Sequence, residues 1–508
     1  MPSRAAERQT TPLWESSSMP RFPKIESDLR VDVAIVGGGL TGLTAAYLLT
    51  KAGLTVALLE RGRCCAVDTS HTTAHLTMVT DTLLAELVKR FGRDHAQAAW
   101  DAGLAALAQI DETIREHEID CGFEWVDGYL HQPLGEDGDA GVEMFQAEAA
   151  AAIELGFDVS YVSDVPWLGG PGVRYDNQAR FDPRRYLAAL AGNLTGRGQI
   201  FELSDVQSFS ASPLSLKANG NTVCCGDIIV ATHNPVVGLA SFFDASLFQT
   251  KLSLYTSYVV AGSVRKGTVP DALFWDSSRP YRYMRIEKQQ GQDLVILGGE
   301  DHKTGQAADT SACYERLENT MKQMLDRVEM SHRWSGQVIE TPDGLPYIGR
   351  TAEHQYSATG FGGNGMTFGT LGAMMAVDTI LGKPNPWTDL FDPSRKALTR
   401  GLWRYVKENA DYPYYMIRDR FAGPEARDLR SVTRGQGKIL ERHGTKVAAY
   451  RDESGATVVR SATCPHLGCL VAWNDAERTW DCPCHGSRFT PEGGVIAGPA
   501  ESPLPDPS

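Results

Sequence analysis

The chain is expected to fold as a doubly wound α/β domain with an antiparallel sheet inserted into it, followed by a small all-β unit at its C-terminal end. Three observations carry that expectation. Residues 31–60 read as strand, glycine-rich turn, helix and second strand. Residues 253–300 alternate apolar and polar side chains in runs of strand length. Residues 461–489, SATCPHLGCLVAWNDAERTWDCPCHGSRF, gather four of the ten cysteines and two of the twelve histidines among short strand-like segments.

The totals bound the class before any motif is read. A chain of 508 residues can hold roughly two to four domains. With 42% hydrophobic and 22% charged residues it has the composition of an ordinary globular protein. A formal net charge of −14 argues against a nucleic-acid partner, which would call for a basic face. The first 30 residues lack the apolar core of a secretory signal, and no window of about 18 apolar residues exists to span a membrane. Cys64, Cys65, Cys121, Cys224, Cys225 and Cys313 are scattered and suggest no disulfide framework, so a cytoplasmic address is expected.

The first unit has a specific physical logic. Residues 31–36 form a short buried strand, and Gly37, Gly39 and Gly42 supply G-x-G-x-x-G before an alanine-rich helix over 44–50. Gly37 permits the tight turn, Gly39 lets the backbone approach a pyrophosphate, and Gly42 lets helix and strand pack closely. The helix N-terminus offers unpaired N–H groups to that pyrophosphate. A second strand over 54–59 ends at Glu60, placed to accept from a ribose hydroxyl.

Three further stretches carry a family resemblance: RGRCCAVDTSHTTAHLT directly after Glu60, TPDGLPYIGR at 341–350, and YSATGFGGNGMTFGTLGAMMAVDTILG at 356–382. With the glycine turn they resemble the D-amino-acid oxidase-like family of FAD-dependent oxidoreductases, which includes glycine and sarcosine oxidases. The resemblance implies a Rossmann-like FAD-binding domain with an inserted antiparallel-sheet substrate domain, over residues 31–386. It implies that Arg61, His71, Thr72, Thr73 and Ala74 lie in the loop beside the flavin. It further implies that Gly344, Gly349, Gly362, Gly363, Asn364, Gly365 and Met366 form the second flavin signature. In some relatives a histidine at the position of His71 carries the flavin covalently; otherwise His71 lines the pocket.

Between the signatures, residues 83–119 have helical periodicity, RFDPRRYLAALAGNL at 180–194 starts a helix near Pro183, and 224–232 is a buried strand. In PYRYMRI, Tyr281, Tyr283 and Arg285 share one face of a strand. The family places such a sheet over the flavin, which makes Tyr283 and Arg285 candidates for the substrate wall. Arg285 is either a bidentate carboxylate clamp or an ordinary ion-pair partner. His302 is either a proton acceptor for an amine or a turn residue. No G-x-S-x-G elbow, H-E-x-x-H or P-loop is present.

Residues 387–427 turn aromatic and charged, suiting a linker or docking helix, and 428–508 reads as short strands and turns. There Cys464-x-His466 is followed, after fifteen residues, by Cys482-x-x-His485. A zinc site would also use Cys and His at short spacing, but it leaves two cysteines over. The boxes CPHLGC and CPCHGS resemble the Rieske iron–sulfur proteins, which implies a small all-β Rieske domain. In it Cys464 and Cys482 would hold one iron of a [2Fe-2S] cluster, and His466 and His485 the other. The same resemblance implies a disulfide between Cys469 and Cys484. It makes Gly498–Pro505 a loop covering the cluster, and places Phe489 where high-potential members carry a tyrosine.

Flavin and cluster in one chain imply an oxidoreductase that dehydrogenates a small-molecule amine or amino acid. Electrons would pass from FAD through the Rieske centre to an unidentified acceptor. An oxidase using O₂ with a structural or regulatory cluster, and a non-catalytic electron relay, are the alternatives.

Overall fold

A computed structural model describes residues 11–134, 141–235, 250–307, 309–395, 425, 428–442 and 444–507. Its base is a six-stranded sheet in the order Tyr347–Ala352, Gln355–Thr359, Asp227–Val230, Val33–Val36, Val56–Leu59, Gly198–Phe201. All neighbours run parallel except the first pair. Both faces of this sheet are covered, so its strands read as continuous apolar runs. Val33 and Ile35 pack into the core shared with helices Leu40–Lys51 and Gly365–Ile380. Ala34 and Val36 face the opposite core, beneath a four-stranded sheet formed by Leu29–Arg30, Asn221–Cys224, Leu214–Ala218 and Val206–Ala211. Gly42 is required by this packing: a Cβ there would sit 2.0 Å from the Gly37 carbonyl oxygen.

The inserted unit is a nine-stranded sheet. From one edge its strands Glu329–Glu340, Ser253–Arg265, Gln292–Lys303 and Tyr283–Lys288 pair antiparallel in that order. The expected helical stretch over 83–119 is two helices, Leu84–Phe91 and Arg93–Glu116, separated at Gly92, whose φ of 86° a helix cannot accept. Helix Pro183–Gly192 starts as its sequence suggests. Pro183 opens it, and the Asp182 carboxylate accepts from the N–H groups of Arg184 and Arg185. The strand expected over 224–232 is interrupted, and only Asp227–Val230 continues in the six-stranded sheet.

The C-terminal unit has two antiparallel sheets. Gln436–Arg442, Thr445–Arg451 and Thr457–Ser461 form one, and Ala472–Asn474, Thr479–Asp481, Arg488–Phe489 and Val495–Ala497 the other. Trp480, Phe489, Tyr450 and the cluster-loop cysteines fill the core between them. Of the proposed docking segment 387–427, only a short helix, Thr388–Phe391, and a few flanking residues are described; most of that stretch lies outside the described residues. Among the described residues, no helix is long and apolar enough to cross a membrane.

Candidate cofactor and metal sites

One large cavity, about 1460 Å³, runs between the two α/β-side sheets and the inserted sheet. Gly37, Gly39, Glu60, Arg61, His71, Thr72, Thr73, Gly344, Gly362, Gly363, Asn364, Gly365 and Met366 all line it. Two signatures some 300 residues apart thus meet at one space. Each brings a glycine turn at a helix N-terminus, the geometry that favours phosphate and other electron-rich groups. Glu60 also braces the turn: its carboxylate accepts from the N–H groups of Gly38 (2.7 Å) and Gly62 (2.6 Å). Burial raises the Glu60 carboxyl above its ordinary range, against the pull of those two N–H groups. His71 holds Nδ1 2.7 Å from the Val67 carbonyl, so Nε2 is the ring nitrogen left for any bond to a flavin.

Three expected cofactor residues stand outside the lining. Gly42 serves helix packing, as described above. Ala74 turns its carbonyl to Arg285. Gly349 lies on strand Tyr347–Ala352 with Pro393 packed against it, away from the cavity.

The expected catalytic residues separate. Tyr283 lines the cavity, its hydroxyl 2.7 Å from Ser257 Oγ and its ring edge-on to His75. Arg285, two residues on, is fully buried and does not line it. Its guanidinium donates to the carbonyls of Ala74 (3.0 Å) and Phe181 (3.4 Å) and to the Glu287 carboxylate, and it stacks on Trp14. The strand passes beneath the loop carrying Ala74 at that point, and the N-terminal segment closes over it. Arg285 is therefore a structural cation and not a carboxylate clamp.

His302 also stands away from the cavity. Its ring stacks on Tyr258, Nδ1 lies 3.3 Å from the Glu300 carbonyl, and burial lowers its pKa; it does not line the cavity. The cause is a bulge. The pairing of Gln292–Lys303 with Ser253–Arg265 shifts register beside Gly299 and Glu300, whose φ values are 146° and 61°. One inserted residue exchanges the faces beyond it. Asp301 consequently faces the cavity in place of His302. Burial first, with Asp81, Glu340 and Glu300 nearby, raises its carboxyl to about 7 against the pull of the Ser257 hydroxyl. No motif marks Asp301 in the sequence; its one signal there is the Gly298–Gly299 pair before it, a common mark of a bulge.

The expected cluster ligands sit on two facing loops. Cys464 Sγ meets Cys482 Sγ, and the rings of His466 and His485 lie edge to face with centroids 5.0 Å apart. The Cys464 N–H donates to the Cys469 carbonyl and the Cys482 N–H to the Ser487 carbonyl, each across 2.8 Å. Burial pushes the imidazoles down, His466 to about 4 and His485 to about 3, which keeps both in the neutral form that binds metal. His466 Nε2 is buried without a hydrogen-bond partner among the described residues, so that side of the ring is left for a ligand or solvent to complete. Two thiols and two neutral imidazoles are the donor set that fits a Rieske [2Fe-2S] cluster. Cys469 and Cys484 form a disulfide, Cα–Cα 6.5 Å, with Cys482 Sγ beside it.

The two sites share a boundary. Gln337 lines the cavity and its Nε2 donates to the Gly486 carbonyl of the second cluster loop across 2.6 Å. Gln306 Nε2 donates to the Pro483 carbonyl across 3.0 Å, and a Cβ at Gly305 would meet Pro483 N at 2.8 Å. At the far end Arg61 donates to the Ile496 carbonyl, and Gly498, Ala500, Glu501 and Ser502 contribute to the lining. The C-terminal unit thus forms part of the cavity wall.

Comparison with known proteins agrees with this geometry. The family model for FAD dependent oxidoreductases matches residues 32–379, and that for the Rieske [2Fe-2S] domain matches 424–508. The Bacillus subtilis protein YhfW, named as a Rieske 2Fe-2S iron-sulfur protein, is 34% identical over 97% of this chain and 96% of its own. The cytochrome b6-f complex iron-sulfur subunit of Chlorobaculum tepidum is 44% identical over 14% of this chain and 40% of its own. Among solved structures, glycine oxidase from Geobacillus kaustophilus superposes with a TM-score of 0.59 at 17% identity, covering 73% of this chain and 99% of that one, a likeness of fold.

Proposed function

The chain belongs to the FAD-dependent oxidoreductase family and carries a Rieske [2Fe-2S] domain at its C-terminal end, and on that premise we propose that it dehydrogenates an amine or amino acid at a C–N bond and delivers the electrons through the cluster to an external acceptor. It is an enzyme, and FAD and a [2Fe-2S] cluster are its cofactors. When bound, FAD supplies two-electron oxidation of a carbon next to nitrogen and the cluster supplies one-electron transfer.

The chain's residues have distinct tasks in this reading. The turn at Gly37 and Gly39, braced by Glu60, receives the pyrophosphate, and helix Gly365–Ile380 presents its N-terminus to the flavin ring. Tyr283 and Ser257 present a shared hydroxyl pair to substrate. Cys464, His466, Cys482 and His485 hold the irons. Residues 31–386 act as the oxidoreductase unit and 428–508 as the electron exit, in the cytoplasm.

The observation that carries the reading is the bond from Gln337 to Gly486. A residue of the flavin cavity grips the loop that bears two cluster ligands, so both centres share one wall. Solved structures of similar fold include glycine oxidase and L-proline dehydrogenase, which favours nitrogen-bearing substrates here.

The test is anaerobic. The holoenzyme is mixed with a panel of amines and amino acids, frozen, and its EPR spectrum recorded. A reduced Rieske signal that appears with one substrate supports the reading. Bleached flavin beside a silent cluster, with peroxide formed in air, would assign an oxidase. A flavin that no amine reduces but a partner protein does would assign a relay.

A further inference from the structure

The substrate end of the cavity is built from anions and hydroxyls. Asp301 projects into it from strand Gln292–Lys303, beside Ser257 and Tyr283, with Asp81 and Glu340 also in the lining. Asp81 is committed, accepting from Tyr281 Oη at 3.1 Å and from the Gly363 N–H at 2.7 Å. Asp301 is different: its Oδ1 is buried and has no hydrogen-bond partner among the described residues. A buried carboxylate oxygen left unpaired at the wall of a cavity is costly unless a ligand completes it.

Among the described residues, no buried cation faces it. The lining contains no lysine and four arginines. Arg63 is paired with Glu202 at 2.6 Å, Arg61 reaches the Ile496 carbonyl, Arg90 is paired with Glu86 at 3.0 Å, and Arg279 is exposed. His75 is kept neutral by burial, its pKa lowered to about 3. Arg285, the one fully buried arginine nearby in sequence, points elsewhere. A substrate carboxylate would therefore meet like charge at this end of the cavity and find no clamp among the described residues.

We propose that Asp301 is the seat and proton acceptor for the ammonium group of a substrate whose reacting end bears no carboxylate, an alkyl amine in place of an α-amino acid. The inference rests on the dehydrogenase reading above and narrows its substrate class. One N–H bond of the ammonium breaks and one O–H bond forms on Asp301; the nitrogen keeps the electron pair, and no further reagent is consumed. The neutral amine so formed is the species from which hydride can leave. A carboxyl near 7 exchanges protons readily at neutral pH. The groups facing it are Ser257, Tyr283, Asp81 and Glu340 from neighbouring elements and Glu300 from its own strand, and none of them is cationic.

The experiment uses two probes of one shape and opposite charge, tert-butylammonium and pivalate; the amine has no C–H next to nitrogen and cannot be oxidised. Each is titrated calorimetrically into the holoenzyme from pH 6 to 9. The expected result is that tert-butylammonium binds and pivalate does not. The affinity falls about tenfold per pH unit below about 7, as Asp301 takes up a proton. Asp301→Asn should weaken tert-butylammonium by about tenfold to a hundredfold at pH 8 and flatten that profile. Asp301→Glu should keep both. With an oxidisable amine, the limb near pH 7 in the rate of flavin reduction should vanish in Asp301→Asn. Flavin absorbance of each variant shows that it has folded around its cofactor. Pivalate binding more tightly than tert-butylammonium, neither probe binding, or unchanged affinity and profile in Asp301→Asn would each overturn the proposal. If α-amino acids reduce the flavin while pivalate wins, the seat falls and the dehydrogenase reading stands. If the probes behave as expected but no amine reduces the flavin, the seat stands and the redox reading falls.

Discussion

Gln337 Nε2 lies 2.6 Å from the carbonyl oxygen of Gly486, so one buried side chain belongs both to the wall of the flavin cavity and to the support of the cluster loop. Replacing it with leucine leaves the Gly486 carbonyl buried and unpaired, at a cost of about 1–3 kcal/mol. Gln337→Leu should lower Tm. In stopped-flow mixing with substrate it should also slow cluster reduction relative to flavin reduction, because the loop loses its anchor on the oxidoreductase sheet. An unchanged ratio of the two rates would mean that the other interface contacts suffice.

The disulfide between Cys469 and Cys484 ties the two ligand loops across a sequence separation of 15. A cross-link of that span removes about 3 kcal/mol of chain entropy from the unfolded state. The double variant Cys469→Ser, Cys484→Ser should unfold at lower temperature and lose iron faster to a chelator. Mass mapping of the native protein should recover the linked peptide; finding both thiols free would contradict the pairing.

Much of this was legible in the sequence because the relevant constraints are local. A glycine turn at a helix N-terminus and Cys/His boxes at fixed spacing specify their own geometry: Gly37 and Glu60 line the cavity, and the rings of His466 and His485 lie edge to face. The substrate wall was less legible because it depends on register. Alternation along the strand would send His302 toward the cavity, and a bulge at Gly299 and Glu300 sends Asp301 instead. Arg285 shares a strand face with Tyr283, yet Trp14, far away in sequence, covers it. No local pattern encodes such a contact. The grip of Gln337 on Gly486 is likewise a product of how two units dock, and neither residue stands in a motif that announces it.

The inserted sheet should be acid-labile at one identifiable place. Arg180, fully buried, makes a bidentate pair with Asp271 (2.7 and 2.9 Å), which also accepts from Lys288 at 2.6 Å. Burial alone would raise the Asp271 carboxyl; Arg180 and Lys288 hold it well below the ordinary carboxylate range. A folded-state pKa below the unfolded value contributes stability that is present above about pH 4 and lost as pH falls through the folded value. Asp271→Asn leaves Arg180 with Glu124 as its one ion-pair partner among the described residues and should cost about 3 kcal/mol at pH 7. The Tm difference from the parent should hold from pH 7 to 5 and narrow below pH 4. A difference that grows in acid would reverse the assigned sign.

The potential of the cluster should respond to one atom. Phe489 is fully buried in the core that contains Cys464 and Cys482, and the neighbouring Ser487 hydroxyl accepts from the Ala500 N–H at 3.1 Å. Reduction adds negative charge to the iron and sulfur atoms, so a donor aimed at a cluster sulfur stabilises the reduced state and raises the midpoint. Phe489→Tyr supplies a hydroxyl at the ring edge without changing the ring's packing. A hydrogen bond of about 1 kcal/mol corresponds to about 40 mV for a one-electron couple. The expected result in an EPR-monitored redox titration is an upward shift of that order, with iron content unchanged. Phe489→Leu separates polarity from packing, since it removes ring volume and adds no donor. An upward shift in both variants would trace the effect to altered packing, and a shift in the tyrosine variant alone would trace it to the new hydroxyl.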